Sequence, residues 1–317
     1  MVLRRLSPHL LQGFASDQRS GVSSSFQAAT VTGSNGSTVV ALARSTHPGP
    51  TAAVTVLSVV LGAAVGLGVG RTLLLGAAVL AGQLTIGLSN DLVDAARDRQ
   101  VGRRDKPLAL GLVSTSTAVA AVTVVTVLAV GLTFVLGWAA GVAHLVFLAS
   151  GWAYNLGLKR TAWSAVPFVV GFGALPAVVT LAAAPPAAPA AWALVVGAAF
   201  GVAIHFTNVL PDLDDDARTG VVGLPHRLGR LRAGLVAFAA LGTAAVVTAG
   251  GLLLDGSLTP VRTGAGLVGS AAALVLSVVG ARLVRRGGAT RGLFRLVIAA
   301  ALVLVASLAL AGTALVA

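Results

Sequence analysis

The sequence predicts an all-α membrane protein, a polytopic bundle of nine transmembrane helices. Hydrophobic residues make up 56% of the 317 residues and charged residues only 10%, which is more apolar surface than a soluble fold can bury. The apolar residues form nine segments of about 18 to 25 residues, each long enough for a hydrocarbon core of about 30 Å. These segments are residues 50–70, 72–96, 111–136, 138–156, 162–184, 187–210, 230–254, 262–284 and 291–316.

The sequence divides into a tail and a helical domain. Residues 1–43 are rich in Ser, Gly, Thr and Gln and hold no apolar run of signal-peptide length, which predicts a flexible cytoplasmic N-terminal tail. Residues 44–317 form the transmembrane domain. Cysteine is absent, so disulfides and thiolate metal sites are excluded.

The distribution of basic residues predicts the orientation. With the N-terminus in the cytoplasm, all of the 22 Lys and Arg residues except Arg71 and Arg262 fall on the cytoplasmic side. This asymmetry accounts for the net charge of +12 without any nucleic-acid partner. We therefore expect an integral membrane protein, in the plasma membrane if the source is bacterial, whose partners include the lipid bilayer.

The end of the second apolar segment carries an acidic face. If the helix continues past Asn90, then Asp91, Asp94 and Asp98 fall within an arc of about 60°. Three carboxylates so placed repel one another and are costly to desolvate unless a cation lies among them. The spacing therefore predicts a metal site.

A second acidic cluster, Asp212 to Asp216, ends the sixth apolar segment. On a continuous helix, Asn208, Asp212, Asp215 and Asp216 would share an arc of roughly 120°. All ten acidic residues of the chain are Asp, and only Asp17 and Asp255 lie away from the two clusters. Both clusters are predicted at the cytoplasmic side, where they would form one site.

Mg²⁺ is the predicted metal. It prefers oxygen ligands, takes one or two carboxylates, and completes its shell with substrate phosphate oxygens and water. The predicted metal ligands are Asp91, Asp94, Asp98, Asp212, Asp215 and Asp216. A phosphorylated substrate is therefore expected.

Several motifs together resemble the UbiA superfamily of intramembrane prenyltransferases. They are Asn90-Asp91-xx-Asp94-xxx-Asp98, Lys106-Pro107-Leu108 with Gly111, Tyr154 to Thr161 (YNLGLKRT), and Asp212-xxx-Asp216 with Gly220 and Leu228-Gly229. The resemblance covers about residues 44–317, and two Asp-rich motifs with a Lys-Arg motif between them form a specific combination.

The resemblance implies a fold and an activity. The fold is nine transmembrane helices around a central cavity that is capped on the cytoplasmic side. Mg²⁺ and an isoprenyl diphosphate would lie between the two motifs, with Asp91, Asp94, Asp98, Asp212 and Asp216 as catalytic residues that neutralise the leaving diphosphate. The predicted substrate-binding residues are Asn90, Arg103, Arg104, Lys106, Tyr154, Lys159, Arg160, His205 and Asn208.

Two positions depart from the family pattern. Lys106 stands where relatives commonly have Arg, which keeps the charge but loses the planar fork that binds phosphate in two places. Pro211 directly precedes Asp212 and removes a backbone donor, so it puts the continuous helix through the second cluster in doubt.

Some residues have two interpretations. His205 could orient the acceptor or take its proton, or it could be a buried histidine hydrogen-bonded to a neighbouring helix. Tyr154 could bind an acceptor or a diphosphate oxygen, or anchor the helix at the interface. Aromatic rings could line the path of an allylic cation or simply pack against lipid; they are Trp152, Trp163, Phe168, Phe172 and Phe206.

The sequence thus predicts Mg²⁺-dependent transfer of an isoprenyl group to a hydrophobic acceptor, with release of diphosphate. An aromatic acceptor of the quinone-precursor type is favoured because such acceptors are common in the superfamily. The alternatives are a UbiA-type terpene cyclase, which needs no acceptor, and a membrane transporter, which also places carboxylates in membrane helices.

Overall fold

A computed structural model describes residues 35–211, 213–287 and 290–317. In this part of the chain there are eleven α-helices, with short 3₁₀ turns at Leu158–Arg160 and Gly312–Leu315. In order, the helices are α1 (Asn35–Arg44), α2 (Pro48–Ala64), α3 (Val69–Gln100), α4 (Thr115–Val135), α5 (Trp138–Leu156), α6 (Val166–Leu181), α7 (Ala191–Val209), α8 (Leu213–Arg218), α9 (Leu224–Leu254), α10 (Pro260–Arg285) and α11 (Thr290–Ala311).

Each of the nine predicted segments corresponds to one of these helices, α2 to α7 or α9 to α11. Among the described helices, α3, α4, α7, α9 and α10 are long and apolar enough to cross a membrane. Helices α1 and α2 together would make a sixth span, broken by a bend of 68°. Helix α6 and the stretch Leu296–Ala311 of α11 are apolar but shorter. An all-helical membrane protein is confirmed, whereas these lengths do not by themselves establish nine spans.

Helix α1 begins within the predicted tail. Residues 35–43 belong to this helix, and its Ala41 is buried in a cluster with Ala95 and Leu108. Residues 1–34 of that tail lie outside the described part of the chain.

The helices form a closed ring. Along the chain, α2 packs on α3, α3 on α4 and α5, α5 on α6, α6 on α7, α7 on α9, α9 on α10, and α10 on α11. Helix α11 then contacts α2, which closes the bundle. Inside the ring, Leu75, Val79, Val178, Leu241 and Leu304 are almost fully buried, so the interior is largely apolar, and the buried charged residues Asp91, Asp94, Asp98 and Lys159 lie at one end.

Helix α9 is bent near its beginning by Gly229. This glycine has φ 75° and ψ 164°, a backbone conformation that residues with a Cβ rarely adopt. The part of α9 after this bend begins at Arg230, in agreement with the predicted segment 230–254.

The second acidic cluster does not lie on one continuous helix. Helix α7 ends at Val209 and α8 begins only at Leu213. Pro211 has no backbone N–H, and its ring crowds the carbonyl one turn earlier, so the helix breaks here. The Arg230 guanidinium instead donates a hydrogen bond of 2.9 Å to the Leu210 carbonyl. The predicted single arc containing Asn208, Asp215 and Asp216 is therefore wrong.

The end of the bundle opposite the acidic residues is tied together by main-chain contacts. Arg71 donates hydrogen bonds to the carbonyls of Ala182 and Leu136, the first over 2.6 Å, and so caps the C-terminal ends of α6 and α4. Residues Pro189 and Val316 form an antiparallel bridge. Arg71, predicted with Arg262 to lie on the side opposite the other basic residues, thus has a structural role there.

Candidate functional site

Helix α3 continues to Gln100 and carries the acidic face that the spacing predicted. Asp91, Asp94 and Asp98 are only 2%, 3% and 2% exposed. Carboxylates buried to this extent need counter-charges or hydrogen-bond donors. The structure supplies both, in two adjacent groups.

The first group surrounds Asp91. Its Oδ1 accepts a hydrogen bond of 2.6 Å from the Lys106 ammonium and lies 3.0 Å from Nε2 of His47. The Lys106 ammonium is also 3.0 Å from His47 Nε2, and the side-chain amide nitrogen of Asn90 is 3.4 Å from the same His47 atom. Lys106 and Asn90 therefore lie where the sequence placed them, beside the first acidic motif.

The second group surrounds Asp94. Both of its oxygens lie 2.6 Å from the Lys159 ammonium, which is itself buried. Burial lowers the pKa of Lys159, while the Asp94 charge acts in the opposite direction. Lys159 also reaches Asn90 Oδ1 at 3.4 Å. The Lys-Arg motif thus contributes its lysine to the acidic face.

Arg97 joins the two Asp-rich segments. Its guanidinium lies 3.4 Å from Asp94, 3.2 Å from Asp98 and 3.8 Å from Asp216 of helix α8. His226, at the start of α9, lies 3.7 Å from the other oxygen of Asp216. The segments are far apart in sequence, yet they meet around one cation, as a shared site requires.

Part of the predicted site cannot be placed. Asp212 lies outside the described residues, and the side chain of Asp215 lies outside them too. Among the side chains that the structure does describe, no three acidic or histidine groups are close enough to share one metal ion.

Other predicted substrate-binding residues do not belong to these two groups of side-chain contacts. Arg103 forms two hydrogen bonds, of 2.9 and 2.8 Å, with Asp105, and they lower the pKa of that carboxyl to about 2. Arg104, Arg160 and Asn208 are exposed. The helix geometry does not bring these four residues into the two groups described above.

An aromatic cluster lies beside the acidic groups. The ring of Tyr154 meets Phe168 and His205 edge-on, with centroids 5.0 and 5.6 Å apart, and Phe168 lies 4.8 Å from His205. Tyr154 lies in the last turn of α5, five residues before Lys159, so the Lys-Arg motif connects the aromatic cluster to the acidic groups in sequence.

His205 is 1% exposed, and its Nε2 lies 3.0 Å from the Ser164 hydroxyl. The backbone N–H of Leu224 donates a hydrogen bond to the same hydroxyl. This partner lies in the segment before α6, so the interaction is the hydrogen bond to a neighbouring element that the second interpretation described. The other ring nitrogen has no partner among the described residues.

The remaining aromatic residues separate into two sets. Phe172 stacks on Phe168 with centroids 6.2 Å apart and extends the cluster into the bundle, and Phe206 packs edge-on against His205. Trp163 is 68% exposed and lies outside the cluster, and Trp152 is half-buried.

An apolar groove continues from Phe172 toward the opposite end of the bundle. It lies between α2, α6, α7 and α11 and holds about 570 Å³ of empty space, part of it open to the surroundings. Thr180 is the one polar residue among those that line it. An apolar lining of this kind suits a hydrophobic ligand.

Two residues of the site were missed by sequence reasoning. His47 precedes Pro48 and has φ 54°, an uncommon conformation for a residue with a side chain and one that often marks functional sites. Its signal was the His-Pro-x-Pro sequence directly before the first apolar segment. Arg97 was counted only as a positive-inside charge, although it follows Asp94 by three residues and so lies on the same helix face.

The donor set fits a hard divalent cation. Its ligand atoms are carboxylate oxygens, and Asp91 Oδ2 is buried without a hydrogen-bond partner in the described residues. A free, buried carboxylate oxygen beside lysine ammonium groups can share a cation with a polyphosphate, whose remaining oxygens the ammonium groups would bind.

The arrangement combines a charged mouth with an apolar interior. Its cations and carboxylates can bind and polarise a charged leaving group. Its aromatic faces can stabilise a neighbouring positive charge, and its groove can hold an apolar chain. Such a division matches an amphiphilic phosphorylated substrate.

Comparisons with solved structures show the same fold. The chain is similar to a structure reported for digeranylgeranylglyceryl phosphate synthase in membranes, with a TM-score of 0.66 and 14% identity over 87% of this chain and 98% of that one. It is similar to a UbiA homologue from Archaeoglobus fulgidus bound to GPP and Mg²⁺, with a TM-score of 0.66, 12% identity, and coverage of 84% and 98%. It is also similar to the apo structure of a UbiA homologue from Aeropyrum pernix K1, with a TM-score of 0.63 and 18% identity over 80% of this chain and 96% of that one.

A search of curated protein sequences gives no match. The family comparison is decisive, because residues 38–298 match the UbiA prenyltransferase family, a range that includes both acidic segments and the Lys-Arg motif. This integral membrane protein therefore belongs to the UbiA prenyltransferase family.

Proposed function

We propose that the protein transfers an isoprenyl group from an isoprenyl diphosphate to a hydrophobic acceptor, with an aromatic acceptor favoured. The observation that carries the proposal is the contact of Arg97 with Asp94, Asp98 and Asp216. Because one guanidinium contacts both Asp-rich segments, we infer that the two segments face one volume, near the apolar groove that begins at Phe172.

Mg²⁺ is the proposed cofactor. The Archaeoglobus fulgidus homologue was solved with Mg²⁺ and GPP, and again with Mg²⁺ and DMAPP. In this chain Asp91, Asp94 and Asp98 would hold the ion from the first segment, with Asp212, Asp215 and Asp216 from the second. When bound, Mg²⁺ neutralises charge on the diphosphate and so makes it a better leaving group.

The protein's own side chains would bind the diphosphate, stabilise the allylic cation and exclude water. Lys106 and Lys159 would bind diphosphate oxygens as the C–O bond breaks and its electron pair leaves with the diphosphate. Tyr154 and Phe168 would face the allylic cation that remains. The acceptor then attacks the cation with an electron pair from carbon or oxygen, and it loses a proton to water or to a basic side chain. The apolar walls would keep water from reacting with the cation first.

We also propose the finer topology that the sequence predicted. All nine helices α2 to α7 and α9 to α11 would cross the membrane, with the N-terminus and the site on the cytoplasmic side. In this arrangement the transmembrane domain would begin near residue 44, as the sequence predicts, or near residue 38, where the family match begins. Accessibility of single cysteines introduced in the 101–113 and 256–259 loops would test it, because only the first should react from the cytoplasm.

A terpene cyclase remains the second candidate, since it would use the same ionisation and the same groove. A membrane assay with labelled isoprenyl diphosphate, with and without Mg²⁺, against a panel of acceptors distinguishes the two. A prenylated acceptor supports the transferase, and a cyclic hydrocarbon formed without any acceptor supports the cyclase. Undiminished product from Asp91→Ala or Asp212→Ala would contradict the proposed site for both. Membership of a prenyltransferase family argues against the transporter alternative.

A further inference from the structure

The apolar groove runs along helices α6 and α7. Its lining extends from Phe172 to Thr180 on α6 and from Ile204 to Ala193 on α7, with Thr180 and Ala193 at the far end. At a rise of about 1.5 Å per residue, these stretches are about 12 and 17 Å long. The groove therefore has a defined length from the aromatic cluster to its far end.

The far end is closed by a segment after α11. Leu315 lines the groove there and is 3% exposed. Its carbonyl accepts a hydrogen bond of 2.8 Å from the backbone N–H of Ala190. The Ala317 N–H donates to the Ala188 carbonyl over 2.9 Å, so the segment is held on both sides of Leu315.

The turn that leads into this segment is also fixed. Gly312 has φ 48°, and a Cβ added to it would lie 2.9 Å from the Ala64 carbonyl at the end of α2. A close approach of this kind, with a left-handed backbone, favours glycine. The position of Leu315 across the end of the groove is thus determined by contacts with α2 and with the 184–190 loop.

We propose that Leu315 is a specificity-determining residue, which limits the length of the isoprenyl chain that the groove accepts. This rests on the proposed function, since it takes the apolar tail of the diphosphate substrate as the occupant. Continuity supports that occupant, because the groove starts at Phe172, which stacks on the aromatic cluster beside the acidic groups. A tail attached to a diphosphate at Lys106 and Lys159 would enter the groove at that point.

The test measures binding, so it does not depend on the unknown acceptor. Full-length protein in nanodiscs with Mg²⁺ is titrated with geranyl, farnesyl and geranylgeranyl diphosphate, and the ratios of their Kd values are compared between variants. Leu315→Trp should weaken the longest ligand that wild type binds by about tenfold relative to geranyl diphosphate, as expected when a filled pocket rejects additional methylene groups. Leu315→Ala should shift the ratio in the opposite direction.

Two controls make the result decisive. Ala193→Leu narrows the same end from the opposite wall and should shift the ratio as Leu315→Trp does, so it decides the question if the Trp variant does not fold. Leu302→Trp places the same bulk on α11 at a position that is 65% exposed and should leave the ratio unchanged.

The outcomes separate two failures. If wild type binds none of the three diphosphates, the proposed function is wrong. If wild type binds them but neither Leu315→Trp nor Ala193→Leu changes the ratio, the chain leaves the groove sideways into the bilayer, and the present inference is overturned.

Discussion

The two Asp-rich segments differ in how their geometry is fixed. Asp91, Asp94 and Asp98 project from the middle and end of one 32-residue helix, are nearly fully buried, and each contacts a cation. The second segment follows a helix break at Pro211, continues in a helix of six residues, and holds Asp216 with its side chain 21% exposed. The first segment is a preorganised acidic face, whereas the second depends on a short element.

This difference indicates a division of labour. Buried carboxylates with buried counter-ions are costly to rearrange, so the first segment defines the position of the site. A short helix after a proline break has few contacts of its own and can adjust to a ligand. We therefore expect substitutions in the first segment to have larger effects on stability and activity than substitutions in the second.

The largest effect should come from the acidic face itself. Asp94→Asn removes a charge needed to bind the cation and leaves Lys159 buried without its partner, so product formation should fall about a thousandfold. Labelled prenyl diphosphate turnover in membranes measures it. Asp105→Asn is the matched control, because Asp105 is exposed and pairs with Arg103 outside the site; its turnover should stay within about twofold of wild type. Equal losses in both variants would contradict the proposed difference.

The next effect concerns stability. Lys159→Met should reduce the free energy of unfolding by about 3 to 5 kcal/mol, because the buried Asp94 carboxylate then loses its contacts of 2.6 Å with Lys159 and keeps only the longer contact with Arg97, at 3.4 Å. Lys106→Met should cost less, since Asp91 keeps His47 at 3.0 Å and the Lys106 side chain is 14% exposed against 4% for Lys159. Denaturant unfolding in detergent gives both values. The double variant Lys159→Met/Asp94→Asn should recover most of the loss, and its failure to do so would show that the lysine stabilises the fold by another route.

A smaller effect should appear at the helix break. Pro211→Ala restores a backbone donor and favours a continuous helix from α7 into α8, which would rotate Asp216 away from Arg97. Turnover should fall about tenfold while the unfolding free energy changes little, since residue 211 is exposed. Pro189→Ala, in the loop at the other end of the bundle, is the control. Unchanged turnover in Pro211→Ala would mean that the break does not position the second segment.

The smallest effect should come from His47. Replacing it with Ala removes the contact with Asp91 and places at φ 54° a residue that adopts this conformation less readily than His, which together should cost about 1 kcal/mol of stability. His47→Asn tolerates that backbone conformation better and can still hydrogen-bond Asp91, so it should retain more of the stability. Thermal unfolding of the two variants side by side tests this, and a greater loss in His47→Asn would contradict it.

The sequence predicted the regular parts of this molecule well. Apolar segment lengths located nine helices in the described residues, and helical periodicity placed Asp91, Asp94 and Asp98 on one face. Both results depend only on the length of a single helix and on the regular spacing of side chains around it. The sequence also drew attention to Pro211, although the helical arc across it was not confirmed.

Contacts between distant segments were harder to predict. Helical spacing places Arg97 on the face of Asp94, but nothing local predicts its contact with Asp216. Arg103, six residues later, pairs with Asp105 in an exposed loop instead. Similarly, Lys159 is buried against Asp94, whereas its neighbour Arg160 is exposed. These outcomes depend on how α3, α5 and α8 are packed, which single-sequence patterns do not encode. The side chain of His47 reaches the site only because α1 and α2 bend by 68° around it.

The length of α3 has a further consequence for how an amphiphile could react here. Its 32 residues span about 48 Å, more than a hydrocarbon layer of about 30 Å, so its last turns reach headgroup depth. A lipid-like substrate could thus keep its phosphates among the headgroups and its tail among the acyl chains throughout the reaction. It would then avoid the cost of moving its tail into water, about 0.8 kcal/mol for each methylene group.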